Sequence, residues 1–130
     1  MRNEVTRFGE NAGKIWSVLN ERGDAVEEED LMKLTHLYGR EFYAAVGWLA
    51  RENKIRKDDE RYSLGETNLT EEIGTIAGRV WKILDIWGEA DLDTIKKLAG
   101  ADEKKVFAAI GWLAREDKID VDESQTYRLK

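Results

Sequence analysis

The chain has no cysteine, no proline and a single histidine, His36, in 130 residues. Without cysteine there is no disulfide framework and no thiolate chemistry. One histidine alone cannot build a metal cluster of the histidine-and-cysteine kind. The lack of proline beside 37% charged residues would suit a thermophile. No apolar run reaches the length of a membrane span. The opening Met1-Arg2-Asn3-Glu4 lacks the apolar stretch of a signal peptide, so the expectation is a soluble, cytoplasmic protein with no membrane partner. A basic excess is missing as well. The 21 Lys and Arg against 27 Asp and Glu leave a net charge of −6, whereas proteins that neutralise nucleic-acid phosphates usually carry the opposite sign. Residues 1–66 hold 11 basic and 14 acidic side chains and residues 67–130 hold 10 and 13, so each half is −3. Such a field repels DNA weakly and leaves room only for a local basic patch.

What the chain does have is one sentence written twice. Ala45-Val46-Gly47-Trp48-Leu49-Ala50-Arg51-Glu52-Asn53-Lys54-Ile55 returns as Ala109-Ile110-Gly111-Trp112-Leu113-Ala114-Arg115-Glu116-Asp117-Lys118-Ile119. Ala12-Gly13-Lys14-Ile15-Trp16 returns as Ala77-Gly78-Arg79-Val80-Trp81, Tyr62 as Tyr127 and Leu64 as Leu129. A period of roughly 65 residues exceeds the 20–50 of solenoid units and matches a small domain able to fold alone. The chain therefore reads as two domains, residues 1–65 and 66–130. The short polar segment Gly65-Glu66-Thr67-Asn68-Leu69-Thr70 joins them, with Thr70 placed to cap the next helix. So short a linker predicts a fixed pseudo-dimer rather than two independent beads.

Within each copy the apolar spacing predicts three helices. Phe8, Ala12, Ile15, Trp16 and Leu19 share one helical face, ended by Gly23; Ile73, Ala77, Val80, Trp81 and Leu84 repeat it, ended by Gly88. A second, shorter helix opens on the acidic turn Glu27-Glu28-Glu29-Asp30, which suits the helix dipole, with Leu31 and Leu34 facing inward. Its counterpart is Asp93-Thr94-Ile95-Lys96-Lys97-Leu98. The third helix, about residues 40–53, places Phe42, Val46 and Leu49 in the core, and copy two places Val106, Ile110 and Leu113 there. Two short strands then flank a polar turn: 54–56 and 61–64 around Lys57-Asp58-Asp59-Glu60, and 118–121 and 126–129 around Asp122-Glu123-Ser124-Gln125.

Three helices followed by a two-stranded ribbon is the order of a winged helix-turn-helix. The fold class is α+β, mostly α: two tandem units, each three helices plus a two-stranded β wing. More narrowly, Ala-Gly-x-(Ile/Val)-Trp in the first helix and Gly-Trp-Leu-Ala-Arg-Glu-(Asn/Asp)-Lys-Ile in the third resemble the small prokaryotic winged helix-turn-helix family of unknown function. The resemblance covers nearly all of both copies. It implies the fold and, by analogy, association with double-stranded DNA.

A DNA-reading third helix carries Arg, Lys, Asn, Gln or Ser on its outer face. Here the outward positions are Tyr43, Ala44, Gly47, Trp48 and Arg51, and Phe107, Ala108, Gly111, Trp112 and Arg115. Gly inside a helix costs about 1 kcal/mol relative to Ala, so Gly47 and Gly111 point to close packing and to a cover over this face. Three covers are open: the copy's own wing or first helix, where Gly13 and Gly78 offer small surfaces; the other copy or a second chain; or a dedicated protein partner. Trp87, whose repeat partner is Arg22, breaks the symmetry and either buries against copy one or fills a gap beside its own first helix.

The nucleic-acid case rests on local charge: Lys96, Lys97, Lys104 and Lys105 in copy two, and Lys33, Arg40, Arg56 and Lys57 in copy one. These candidate phosphate contacts are neighboured by acids such as Asp58, Asp59, Glu60, Asp102 and Glu103, and a solvated charged surface is the competing reading. Catalysis has no supporting constellation. No Gly-rich phosphate loop is present, Ser17, Ser63 and Ser124 lack a partner base, and the 27–30 acidic run reads as a helix first turn. No enzyme activity, cofactor, metal or small-molecule substrate is expected. Two readings follow: a DNA-associated, transcription-related protein, or a protein–protein interaction module whose apolar third-helix faces are buried in protein contacts.

Overall fold

The computed structural model describes residues 4–130. Copy one runs α1 (Glu4–Arg22), β1 (Val26–Glu27), α2 (Glu28–Thr35), α3 (Gly39–Arg51), β2 (Ile55–Asp58) and β3 (Arg61–Leu64). Copy two repeats the order as α4 (Thr70–Trp87), β4 (Glu89–Ala90), α5 (Leu92–Ala99), α6 (Glu103–Arg115), β5 (Ile119–Val121) and β6 (Tyr127–Leu129).

The long first helices form because apolar residues recur along one face: Phe8, Ala12, Ile15 and Leu19 are buried on α1, and Ile73, Ala77, Val80 and Leu84 on α4. Trp16 and Trp81 depart from the expected core face, being 39% and 38% exposed. They sit one position beyond Ile15 and Val80, at the border of a stripe that the core fills without them. On the short α2 and α5 the buried line is Leu31 and Thr35, and Ile95 and Ala99, each pair at i, i+4. Leu34 and Leu98 therefore fall outside it and are exposed, contrary to the inward placement expected of Leu34.

Helix stops explain several repeated residues. Gly23 and Gly88 donate their N–H to Leu19 and Leu84 carbonyls at 3.0 and 2.9 Å. His36 and Gly100, which align, both occupy the left-handed region at φ 58° and 63° and end α2 and α5. The lone histidine is thus a helix-ending residue, of a type more often found at positive φ than most. Asn53 and Asp117, both at φ 59°, end α3 and α6 in the same way, and Lys54 and Lys118 then donate back to the Leu49 and Leu113 carbonyls at 3.0 Å each. The recurring Glu-(Asn/Asp)-Lys is a stop signal.

Each wing has one strand more than expected. β1 pairs with β3 (Val26 opposite Tyr62) and β4 with β6 (Ala90 opposite Tyr127), giving sheets ordered β1-β3-β2 and β4-β6-β5. The added strands are two residues long, too short to carry any alternation. They fix the start of α2 and α5 against the wing.

The linker is tied down rather than loose. The Lys57 N–H donates to Asn68 Oδ1 at 2.9 Å, while Asn68 Nδ2 donates to the Lys57 carbonyl at 2.6 Å. The Thr67 N–H donates to Asn53 Oδ1 at 2.9 Å. Thr70 is the first residue of α4 rather than its cap; Leu69 precedes it, its N–H donating to Thr67 Oγ1 at 3.1 Å.

Candidate interface of the two third helices

The most extensive contact between any two elements is α3 against α6. It exists because Gly47 and Gly111 let two backbones touch. A Cβ built on Gly47 would stand 1.8 Å from the Ala108 carbonyl oxygen, and one on Gly111 would stand 1.8 Å from that of Ala44. This is the self-complementary pattern of a two-fold interface, residue i on j and j on i, closed within one chain. Tyr43, Ala44, Gly47, Phe107, Ala108 and Gly111 are all buried. Of the three covers, the other copy therefore takes the centre of the face.

The tryptophans take a different cover. Trp48 lies on Gly9 of its own first helix, where a Cβ would meet the indole at 2.8 Å, and Trp112 lies on Gly74, where the distance is 3.5 Å. Gly13 and Gly78 have nothing within 4 Å, so the small surfaces expected there belong one turn earlier. The ends of the crossing are closed by charge. Arg51 Nε donates to Glu116 at 3.0 Å and Arg115 Nε to Glu52 at 2.9 Å. The same guanidinium groups lie over the opposite copy's indole, Arg51 over Trp112 at 5.7 Å and Arg115 over Trp48 at 5.9 Å.

Around this symmetric centre the copies differ. In copy one, Glu28 accepts from the Tyr62 hydroxyl at 2.7 Å and from the Tyr43 hydroxyl at 3.1 Å, with Lys57 Nζ at 3.8 Å. Phe42 packs edge-on against both tyrosines, ring centroids 5.2 and 5.8 Å away. Burial, reinforced by the Glu28 carboxylate, pushes both phenols well above their ordinary range. In copy two the aligned positions are Leu92, Phe107, Tyr127 and Val121. Three of the four polar groups are gone. Glu28, expected only as a dipole-matching helix acid, is the hub of a polar cluster; its replacement together with Tyr43 and Lys57 between the repeats is the sequence signal that could have found it.

The basic candidates also divide by copy. Lys33 pairs with Glu29 at 3.7 Å, Arg40 with Glu4 at 3.1 Å, Arg56 with Asp58 at 2.9 Å and Lys57 with Glu28 at 3.8 Å. Lys96, Lys97, Lys104 and Lys105 make no ion pair among the described residues; they stand in the last turn of α5 and the first turn of α6. Trp87 does neither thing expected of it: it is 59% exposed beside Ile86 at 79%, at the solvent end of α4. Among the described residues no group of three or more His, Cys, Asp or Glu could hold a metal, and no helix is long and apolar enough to cross a membrane.

Three helices closed by a small antiparallel sheet, twice over, define a pair of winged helix-turn-helix units. The chain belongs to the family described as winged helix-turn-helix domain (DUF2582), whose model matches residues 1–64 and again 68–129. It is also similar to the uncharacterized protein MJ1608 of Methanocaldococcus jannaschii, at 42% identity in a 65-residue alignment that covers 45% of this chain and 91% of the relative. The relative is thus about one copy long. No solved structure matches the chain.

Proposed function

We propose that this chain is a non-enzymatic interaction module, in which two winged-helix copies have turned their third helices inward and contact protein partners through their outer helices. The reciprocal crossing of Gly47 on Ala108 and Gly111 on Ala44 carries this reading. A helix that reads bases must lay its outer face in the major groove, and here that face is occupied by the sister helix at backbone contact. The net charge of −6 also disfavours a polyanion. Trp16, Trp81, Ile86 and Trp87 remain exposed, the kind of apolar surface that protein contacts use.

The experiment is a titration of the full chain against a random-sequence duplex pool at about 50 and 200 mM salt, followed by sequence selection. No sequence preference is expected at either salt. A selected duplex bound through α3 or α6, with affinity lost on substituting Tyr43 or Phe107 while the fold persists, overturns the proposal. A second reading, non-specific association with phosphates, is favoured by one observation: Lys96, Lys97, Lys104 and Lys105 make no ion pair among the described residues, whereas Lys33, Arg40, Arg56 and Lys57 are paired. Salt-sensitive micromolar binding that disappears in a Lys104→Ala/Lys105→Ala variant would support it.

A further inference from the structure

A cavity of about 200 Å³ opens where the wing of copy one meets α4 and the start of α6. Its apolar wall is Leu69, just ahead of α4, and Ile73 and Ile76 in the N-terminal half of α4, with Val46 and Ala108. Opposite stand the rings of Tyr43 and Tyr62. Lys104 reaches across from α6, its ammonium 5.7 Å from the centre of the Tyr43 ring.

Pseudo-symmetry says what this place lacks. Its mirror image lies where the copy-two wing meets α1 and the start of α3. There Arg40, the counterpart of Lys104, pairs with Glu4 at 3.1 Å and lies close enough to the Tyr127 phenol to bias its ionisation. The residue aligned with Glu4 is Leu69. Substitution of a carboxylate by an apolar side chain leaves Lys104 without an ion pair among the described residues, at the edge of an open cavity.

We propose that this cavity binds a small organic carboxylate with an apolar body, the carboxylate on Lys104 in the position that Glu4 fills in the mirror site, and the body on Leu69, Ile73 and Ile76. The lining carries Lys57, Lys104 and Lys105 against Glu28, Glu60, Glu72 and Asp102, and Lys57 is already paired with Glu28 at 3.8 Å. A single negative charge is therefore the most the cavity takes, held by direct contact with Lys104, with Lys105 and the α6 N-terminus beside it. Two of the lining acids are engaged, Glu28 by the two phenols and Asp102 by the Lys105 N–H at 3.0 Å. Glu60 and Glu72 oppose a doubly charged group such as a phosphate. The apolar wall favours a hydrocarbon chain or ring over a polar metabolite. Since the lining comes from both copies, the ligand would tie them together.

The test titrates the full chain with hexanoate, and in parallel with hexan-1-ol and hexylamine, followed by backbone amide shifts in two-dimensional NMR. Hexanoate is expected to give saturable shifts at 69–76 and 104–105, which the alcohol and the amine do not match. Lys104→Ala should weaken hexanoate at least about tenfold, the loss of one charge-assisted contact. Leu69→Glu supplies the missing carboxylate from within and should abolish hexanoate binding while the amide spectrum stays that of a folded chain. Absence of saturable shifts with hexanoate, an equal response to hexan-1-ol, or undiminished binding in Lys104→Ala would each overturn the proposal.

Discussion

Gly47→Ala is the substitution whose outcome depends most directly on the crossing of α3 and α6. In a free or solvent-facing helix this change stabilises by about 1 kcal/mol, because alanine loses less backbone entropy than glycine. Here the new methyl would stand 1.8 Å from the Ala108 carbonyl oxygen, against the roughly 3.3 Å that a carbon and a carbonyl oxygen tolerate. The obstacle is backbone, not the end of a flexible side chain, so the helices must part by about 1.5 Å at the crossing. Overpacking of this kind costs about 1–3 kcal/mol and occasionally more. Separation also loosens the buried contacts of Ala44, Ala108, Tyr43 and Phe107. The overpacking and loosening together outweigh the propensity gain, leaving a net loss of about 2 kcal/mol, or a fall in Tm of roughly 5–10 °C for a chain of this size. Gly111→Ala should cost the same by symmetry, and the double variant should cost less than the sum, since one separation relieves both clashes. Urea unfolding followed by tryptophan fluorescence and circular dichroism measures all three. Stabilisation of about 1 kcal/mol by either alanine would refute the crossing.

Three further outcomes follow from the asymmetry of the copies. Glu28→Leu, which copies Leu92, removes the acceptor of two phenols and should destabilise by about 2–3 kcal/mol, while Glu28→Leu with Tyr43→Phe should regain part of it; equal losses would show the cluster to be uncoupled. Asp91 and Asp122 are held below their ordinary carboxylate pKa, first by hydrogen bonds from Thr94 and from Ser124 respectively. Their contribution is present above pH 4 and is lost as the pH falls through the lowered folded-state values, so Asp91→Asn/Asp122→Asn should lose less stability between pH 6 and pH 3 than the parent, measured by urea midpoint. Trp87→Arg, which copies Arg22, should leave stability within about 0.5 kcal/mol, because the indole is 59% exposed; a larger loss in thermal unfolding would mean that it packs on a neighbour.

Most of the helical frame was legible because it rests on local periodicity. Phe8, Ala12, Ile15 and Leu19 announce a buried face whatever they pack against, and the Gly-Trp-Leu-Ala-Arg-Glu block identifies the third helix and its stop. The failures share a cause. Trp16 and Leu34 were expected in the core because they are large and apolar, yet whether a border position is covered depends on how wide the neighbouring element is. The third strand of each wing was invisible because Val26-Glu27 and Glu89-Ala90 are strands only by pairing with β3 and β6.

The candidate site divides along the same line. Two glycines in the middle of third helices, on a mostly apolar face with a single Arg at its far end, already required a close neighbour, and the repeat required that whatever happened at Gly47 had a counterpart at Gly111. The identity of the neighbour was not in the sequence: own helix, sister copy and foreign partner all satisfy a demand for small residues. Tertiary structure chose the sister copy for Gly47 and Gly111, where two backbones meet, and the first helix for Trp48 and Trp112, whose indoles seat on Gly9 and Gly74. It also placed Lys104 opposite Leu69 instead of a carboxylate, a difference that aligned copies record as one substitution and that acquires chemical meaning only when the two side chains share a cavity.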